Sequence, residues 1–170
     1  MIVDATLPLL LQHGESVKTQ EIAEAAGIAE GTIFTVFTSK DALIEATVER
    51  ALDPEPVEQA IAAIDDSLGL ECSVVQVVAL LQQRVVDGWL LLSSVGRRYV
   101  GQTRRSSFES AALTALFKAH RAELGVTPDL AARLLRAITV GMTHPMMTSA
   151  PAAPAEIAHH FLHGVMRTQC

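Results

Sequence analysis

Four groups of side chains in this sequence are of types that could do chemistry. Thr19, Gln20, Glu30, Thr32, Thr35 and Lys40 crowd into residues 19–40. Hydroxyls and an ammonium group suit phosphate oxygens, and a carboxylate suits the amino group of cytosine. His159 and His163 stand four apart, the spacing of a metal pair on one helix face. No carboxylate or cysteine stands at a matching distance nearby, so the preferred reading is a polar rim on the final helix. No metal is expected. Arg97, Arg98, Arg104 and Arg105 would make a basic patch, although a run of this kind is more often a solvated loop or a set of partners for carboxylates. Trp89, Tyr99, Phe108, Phe117, Met142 and Met146 are side chains that line adaptable apolar pockets, and they also fill ordinary cores. They form the candidate ligand-binding set. The sequence contains no Gly-x-Ser-x-Gly, no glycine-rich phosphate loop and no paired carboxylates at an identifiable pocket. Neither an enzyme nor a cofactor is expected.

The elements that must position these groups are helices. Ile2, Val3, Thr6, Leu7, Leu10 and Leu11 form a stripe that stops at His13-Gly14, with Pro8 inside it predicting a kink or a weak first turn. Ile22, Ala23, Ala25 and Ala26 give a second helix a small-residue face, and Gly27 can end it in a positive-φ conformation. Ile33, Phe34 and Phe37 recur at helical spacing in a third. These two helices are read over about 19–26 and 30–36. A fourth starts at Thr38-Ser39 and runs to about Leu52. Two short helices crossing steeply on a tight turn make a helix-turn-helix, whose second helix enters the DNA major groove.

On Ile22-Ala23, Ala26-Gly27-Ile28, Gly31-Thr32-Ile33-Phe34, Phe37 and Ser39-Lys40, the segment resembles the tetracycline-repressor (TetR) family of regulators. The resemblance covers roughly residues 1–50. It implies that Thr32, Phe34, Val36 and Lys40 touch the DNA backbone and that Glu30 and Thr35 face base edges. Thr19 and Gln20, at the start of helix two, would reach a phosphate or a base. Lys18 stands where a threonine cap is common and returns a positive charge. Ala29 stands where the family often has serine, Phe34 where it has tyrosine and Val36 where it has histidine, so a cap and two polar contacts are lost.

Asp53-Pro54-Glu55-Pro56 is the clearest breaker. The expected division is therefore a DNA-binding domain at 1–52 and a ligand-binding and dimerisation domain at 53–170. Beyond the breaker, Val57, Ile61 and Ile64 mark a short helix stopping near Gly69. Val74 to Val95 is a long apolar segment, and a further helix is read over about 107–124. Thr127-Pro128-Asp129 combines a hydroxyl cap, a proline at the first helical position and a first-turn carboxylate. The helix it starts is expected to end before Pro151, with His144-Pro145 as a kink, and a last helix begins near Pro154. Leu130, Leu134, Ile138, Gly141, Phe161 and Val165 are the candidate dimer interface. Two copies of this helix pair would bury a shared apolar face in a four-helix bundle. A glutamate at Ile138 or Phe161 is expected to separate the protomers.

Apolar residues make up 49% of the 170 and aromatics 4%, a composition suited to helices packed on helices. No apolar run approaches the roughly 18 residues of a membrane span. Two distant thiols, Cys72 and Cys170, fit a reduced, cytoplasmic protein. The net charge is −6, and residues 1–52 hold three basic against eight acidic side chains. That balance opposes the footprint of a phosphate binder. The resemblance implies a basic arm ahead of the first helix, and an arm preceding residue 1 is expected to tighten DNA binding at low salt.

The sequence therefore predicts an all-α protein of about nine helices, a three-helix DNA-binding head on a helical effector domain. Its expected partners are double-stranded DNA, a small, largely apolar effector and a second copy of itself, with no membrane. The expected function is a ligand-responsive transcriptional regulator, most simply a repressor released from a palindromic operator. The alternative left open is a helical small-molecule-binding protein with a vestigial head.

Overall fold

A computed structural model describes residues 1–95, 99 and 109–165. Among the described residues are nine α-helices and no strand: α1 (Ile2–His13), α2 (Thr19–Ala26), α3 (Glu30–Val36), α4 (Lys40–Ala51), α5 (Glu55–Ala62), α6 (Gly69–Ser94), α7 (Ala111–Ala119), α8 (Pro128–Gly141) and α9 (Pro154–Val165). The all-α expectation is met.

The chain forms two compact units. One holds Met1–Asp53 together with Asp87 to Val95 and Tyr99, and the other runs from Pro54 to Val86 and continues in residues 109–165. The single division at 52/53 read from the sequence is thus too simple. Helix α6 gives Val74, Val77 and Val78 to one core and Leu91 to the other, and Val95 and Tyr99 follow Leu91 into the N-terminal core. By length and composition α6 also meets the requirement for a membrane-crossing helix. The sequence offers no apolar run of that length, and polar and charged residues such as Gln82, Gln83, Arg84 and Asp87 interrupt this helix.

In the N-terminal unit, α1 packs on α2 and α4 around Leu10, Val17, Ile22, Ile33, Leu43, Ile44 and Val48, all essentially inaccessible to solvent. Helix α1 runs through Pro8 from Ile2 to His13. Helix α2 ends where Gly27 takes φ 67°, and the Ile28 amide then donates to the Ala23 carbonyl at 3.0 Å. Of the two hydroxyls before α4, Ser39 is the cap, accepting from the Ala42 amide at 3.1 Å.

In the C-terminal unit, Phe117 and Phe161 meet with ring centroids 5.6 Å apart among Val74, Val77, Leu135 and Ile157. Thr127 caps α8 as the sequence predicts, accepting from the Leu130 amide at 3.3 Å. The helix stops at Gly141, well short of Pro151. Gln82 holds the segment that follows, its amide donating to Thr143 Oγ1 at 3.1 Å and to the Ala152 carbonyl at 2.8 Å. Helix α7 starts at Ala111 and gives way after Ala119 to a short 3-10 turn, so it is shorter than the 107–124 predicted. Its start is fixed by Ser110, which accepts from the Leu113 amide at 3.1 Å.

Candidate nucleic-acid interface

Helices α2 and α3 are short, and each buries little more than one side of a turn. Ile22 and Ala23 anchor α2, and Ile33 alone is fully buried in α3. The remaining side chains of α3 face outward. Glu30, Thr32 and Thr35 are exposed, and Phe34 and Val36 keep 49% and 61% of their surface accessible. Gly31 lies on the same outward side, with no heavy atom near the place a Cβ would occupy. Its bare backbone lets the helix approach a surface closely.

The other predicted contact residues border this face. Lys18 and Gln20 are exposed and Thr19 half-buried. The amide of Lys18 donates to Glu21 Oε2 at 3.0 Å, a backbone cap that leaves the ammonium group uninvolved. The hydroxyl of Thr19 donates to Glu30 Oε1, tying the first turn of α2 to the first turn of α3. Gln20 donates to Glu24 Oε1 at 3.2 Å. Thr35 turns its hydroxyl back to the Gly31 carbonyl at 3.2 Å, as β-hydroxyl residues inside helices commonly do. Lys40 Nζ donates to the Glu15 carbonyl at 2.6 Å, which pins the start of α4 to the turn after α1. The structure thus places Lys18 just before α2, Thr19 and Gln20 on α2, Glu30, Thr32 and Thr35 on α3 and Lys40 at the start of α4. Ala29 has no side-chain cap to offer α3.

Tyr99 completes the unit. Its ring is buried in this core, and its hydroxyl donates to Asp41 Oδ1 at 2.9 Å in the first turn of α4. Sequence reasoning placed Tyr99 among the ligand-binding residues. The structure places it behind the helix-turn-helix, because its polar tip finds a carboxylate 58 residues away in the chain.

The rest of the candidate ligand set is dispersed. Trp89 is half-buried on the stretch of α6 that belongs to the N-terminal unit. Phe117 is fully buried in the C-terminal core, Met142 packs at its edge, and Met146 is 77% exposed. Phe108 and the four arginines at 97–105 lie outside the described residues. In the C-terminal unit a groove of about 500 Å³ is bordered by Pro54, Glu55, Glu58, Ala62, Glu109 and Arg136, among others, and by none of the five predicted residues that are described. The sequence signal for this groove was weak, since its carboxylates are spread over 55 positions. Its rim carries charged side chains, while most of its lining surface is apolar.

The candidate dimer face divides. Leu130 is 41% exposed, while Leu134 and Ile138 are half-buried against their own core. Gly141 ends α8 with open space beside it. Phe161 is fully buried against Phe117 and is a core residue of its own unit. Val165 occupies the last position of α9. His159 and His163 do share a helix face, with ring centroids 3.9 Å apart, and His163 Nδ1 bonds the His159 carbonyl at 2.8 Å.

Comparison with known proteins adds the relationship. The family described as bacterial regulatory proteins, tetR family, matches residues 2–47. No curated protein matches the sequence. The reduced form of NemR from E. coli is similar in structure over 98% of this chain and 96% of its own, with a TM-score of 0.61 at 20% identity. NalD of Pseudomonas aeruginosa, the secondary repressor of the MexAB-OprM multidrug efflux pump, is similar over 98% of this chain and 94% of its own, with a TM-score of 0.57 at 22% identity. A TetR-family transcriptional regulator from Vibrio parahaemolyticus is similar over 98% and 97%, with a TM-score of 0.55 at 16% identity. At these identities the likenesses speak to fold.

Proposed function

Residues 2–47 form a helix-turn-helix domain of the tetR family of regulatory proteins, and from that premise we propose a homodimeric repressor released from a palindromic operator by a small molecule. The observation that carries this reading is the outward face of α3, held at its start by the Thr19–Glu30 bond and by the single buried anchor Ile33. Such a helix is anchored on one side and leaves most of its surface available to a groove. Two heads spaced about 34–36 Å apart would occupy successive major grooves of a palindrome. The outer side of α8, with Leu130, Ala137 and Gly141, is the proposed contact between protomers, in place of the Phe161 stripe.

A ligand would act by favouring one head spacing, and its leverage equals its differential affinity for the two spacings. Helix α6 supplies residues to both cores, and the Tyr99–Asp41 bond joins the chain beyond α6 to the foot of α4. The groove bordered by Glu58 and Arg136 is the proposed effector site, and its charged rim around a mainly apolar lining suits a largely apolar molecule that carries a polar group. NalD, which is similar in fold, is a repressor, and this supports the assignment by analogy.

One observation favours the alternative of a vestigial head, namely eight acidic against three basic side chains in residues 1–52. The test is duplex binding by single variants. Lys18→Ala is expected to weaken all sequences alike and to lower the log–log salt slope by about one. Thr35→Ala is expected to relax preference at one base pair per half-site, by about 1 kcal/mol. Salt-independent, negligible binding by every variant and by the parent would favour the vestigial reading.

A further inference from the structure

The outward face of α3 carries two exposed large apolar side chains. Val36 and Phe34 are among the most exposed large apolar side chains of the N-terminal unit. Thr35 spends its hydroxyl proton on the Gly31 carbonyl within its own helix. Glu30 already accepts from Thr19, and Lys40 already donates to the Glu15 carbonyl. Beside the Thr32 hydroxyl and the Glu30 carboxylate, α3 offers a groove the methyls of Val36, the phenyl ring of Phe34 and, at Gly31, a bare backbone that allows close approach.

The one apolar feature that duplex DNA displays in its major groove is the C5-methyl of thymine. Adenine, guanine and cytosine present only donors and acceptors there. An exposed valine or phenylalanine gains nothing from these and leaves them desolvated, whereas a methyl-on-methyl contact removes apolar surface from water on both partners. The charge balance of the head points the same way, since few cations are present to draw affinity from phosphates.

Building on the proposed DNA-binding function, we infer that α3 reads its half-site through thymine methyls, with Val36 and Phe34 as the specificity-determining side chains. This assigns Val36 to base edges, where the family resemblance alone implied the backbone. Each methyl brought into apolar contact contributes about fourfold in affinity, the value of one buried methylene-sized group.

The experiment uses the full chain and a palindromic duplex selected from a randomised pool, with each thymine of the half-site replaced singly by uracil. Uracil keeps the pairing, the O4 acceptor and the backbone charge, and removes only the methyl group. The expected result is a loss of about fourfold for at least one uracil substitution per half-site. Val36→Thr, the same shape with one methyl turned into a hydroxyl, should bind the thymine duplex more weakly and discriminate less between thymine and uracil. Phe34→Ala is the parallel variant. Equal affinity for thymine and uracil at every position would overturn the inference and leave the DNA-binding reading standing. Failure to select or bind any duplex would overturn both.

Discussion

Gly14→Ala is expected to destabilise the N-terminal unit by about 3–5 kcal/mol, a sum of backbone strain and overpacking. Gly14 sits at φ 58° and ψ −146°, a conformation that a Cβ strongly disfavours. The added Cβ would also lie 2.5 Å from the backbone oxygen of Ser94. That oxygen belongs to the end of α6 and has no rotamer by which to move away. Relief requires pulling the end of α6 from the end of α1, where Leu10, Leu91 and Val95 share a core. Gly27→Ala is the control. Gly27 is also left-handed, at φ 67°, but nothing lies within 4 Å of the built Cβ, so only the conformational term of about 1 kcal/mol applies. Urea denaturation followed by circular dichroism compares the two. Equal losses would mean that the end of α6 does not press on the turn after α1.

Phe161→Glu is expected to unfold the C-terminal unit, with a loss above the roughly 3–5 kcal/mol of a phenylalanine-to-alanine change. The ring is fully buried against Phe117, and a carboxylate there would be desolvated without a partner. Leu130→Glu should behave differently. Leu130 is 41% exposed and lies on the outer side of α8, so a charge there leaves the fold intact. If the proposed dimer face is right, that variant sediments as a folded monomer and loses affinity for a palindrome. A folded Phe161→Glu monomer would restore the interface predicted from sequence and contradict this packing.

These two residues show what the sequence carried and what it did not. The helices of the head were legible because their punctuation is local: Gly27 ends α2, Ser39 caps α4, and Ile33 marks the buried side of α3. Each signal lies within a few residues of the boundary it sets. The stripe containing Phe161 was legible as a buried face, but periodicity reports only that a face is covered. The partner turned out to be Phe117 of the same unit, from a helix more than 40 positions earlier. Tyr99 was misplaced for the same reason, since its partner Asp41 is distant in sequence and close only after folding. Helix α8 was drawn too long because the side chain that holds the segment after Gly141 is Gln82, which no local pattern connects to Thr143 or Ala152. The outward face of α3 was readable because it belongs to a single short helix with one buried anchor, Ile33. The groove bordered by Glu58 and Arg136 was not, because it collects residues from three helices.

The most direct test of the central claim is the salt dependence and stoichiometry of binding to a duplex selected from a randomised pool. A fluorescently labelled palindrome and its isolated half-site would be titrated with the full chain at several salt concentrations. The account predicts two protomers per palindrome, markedly weaker binding to the half-site, and affinity that falls linearly with the logarithm of salt concentration. Binding of single protomers with equal affinity for both duplexes would contradict the two-head mechanism. Absence of saturable binding even at low salt would contradict the assignment of α2 and α3 to DNA.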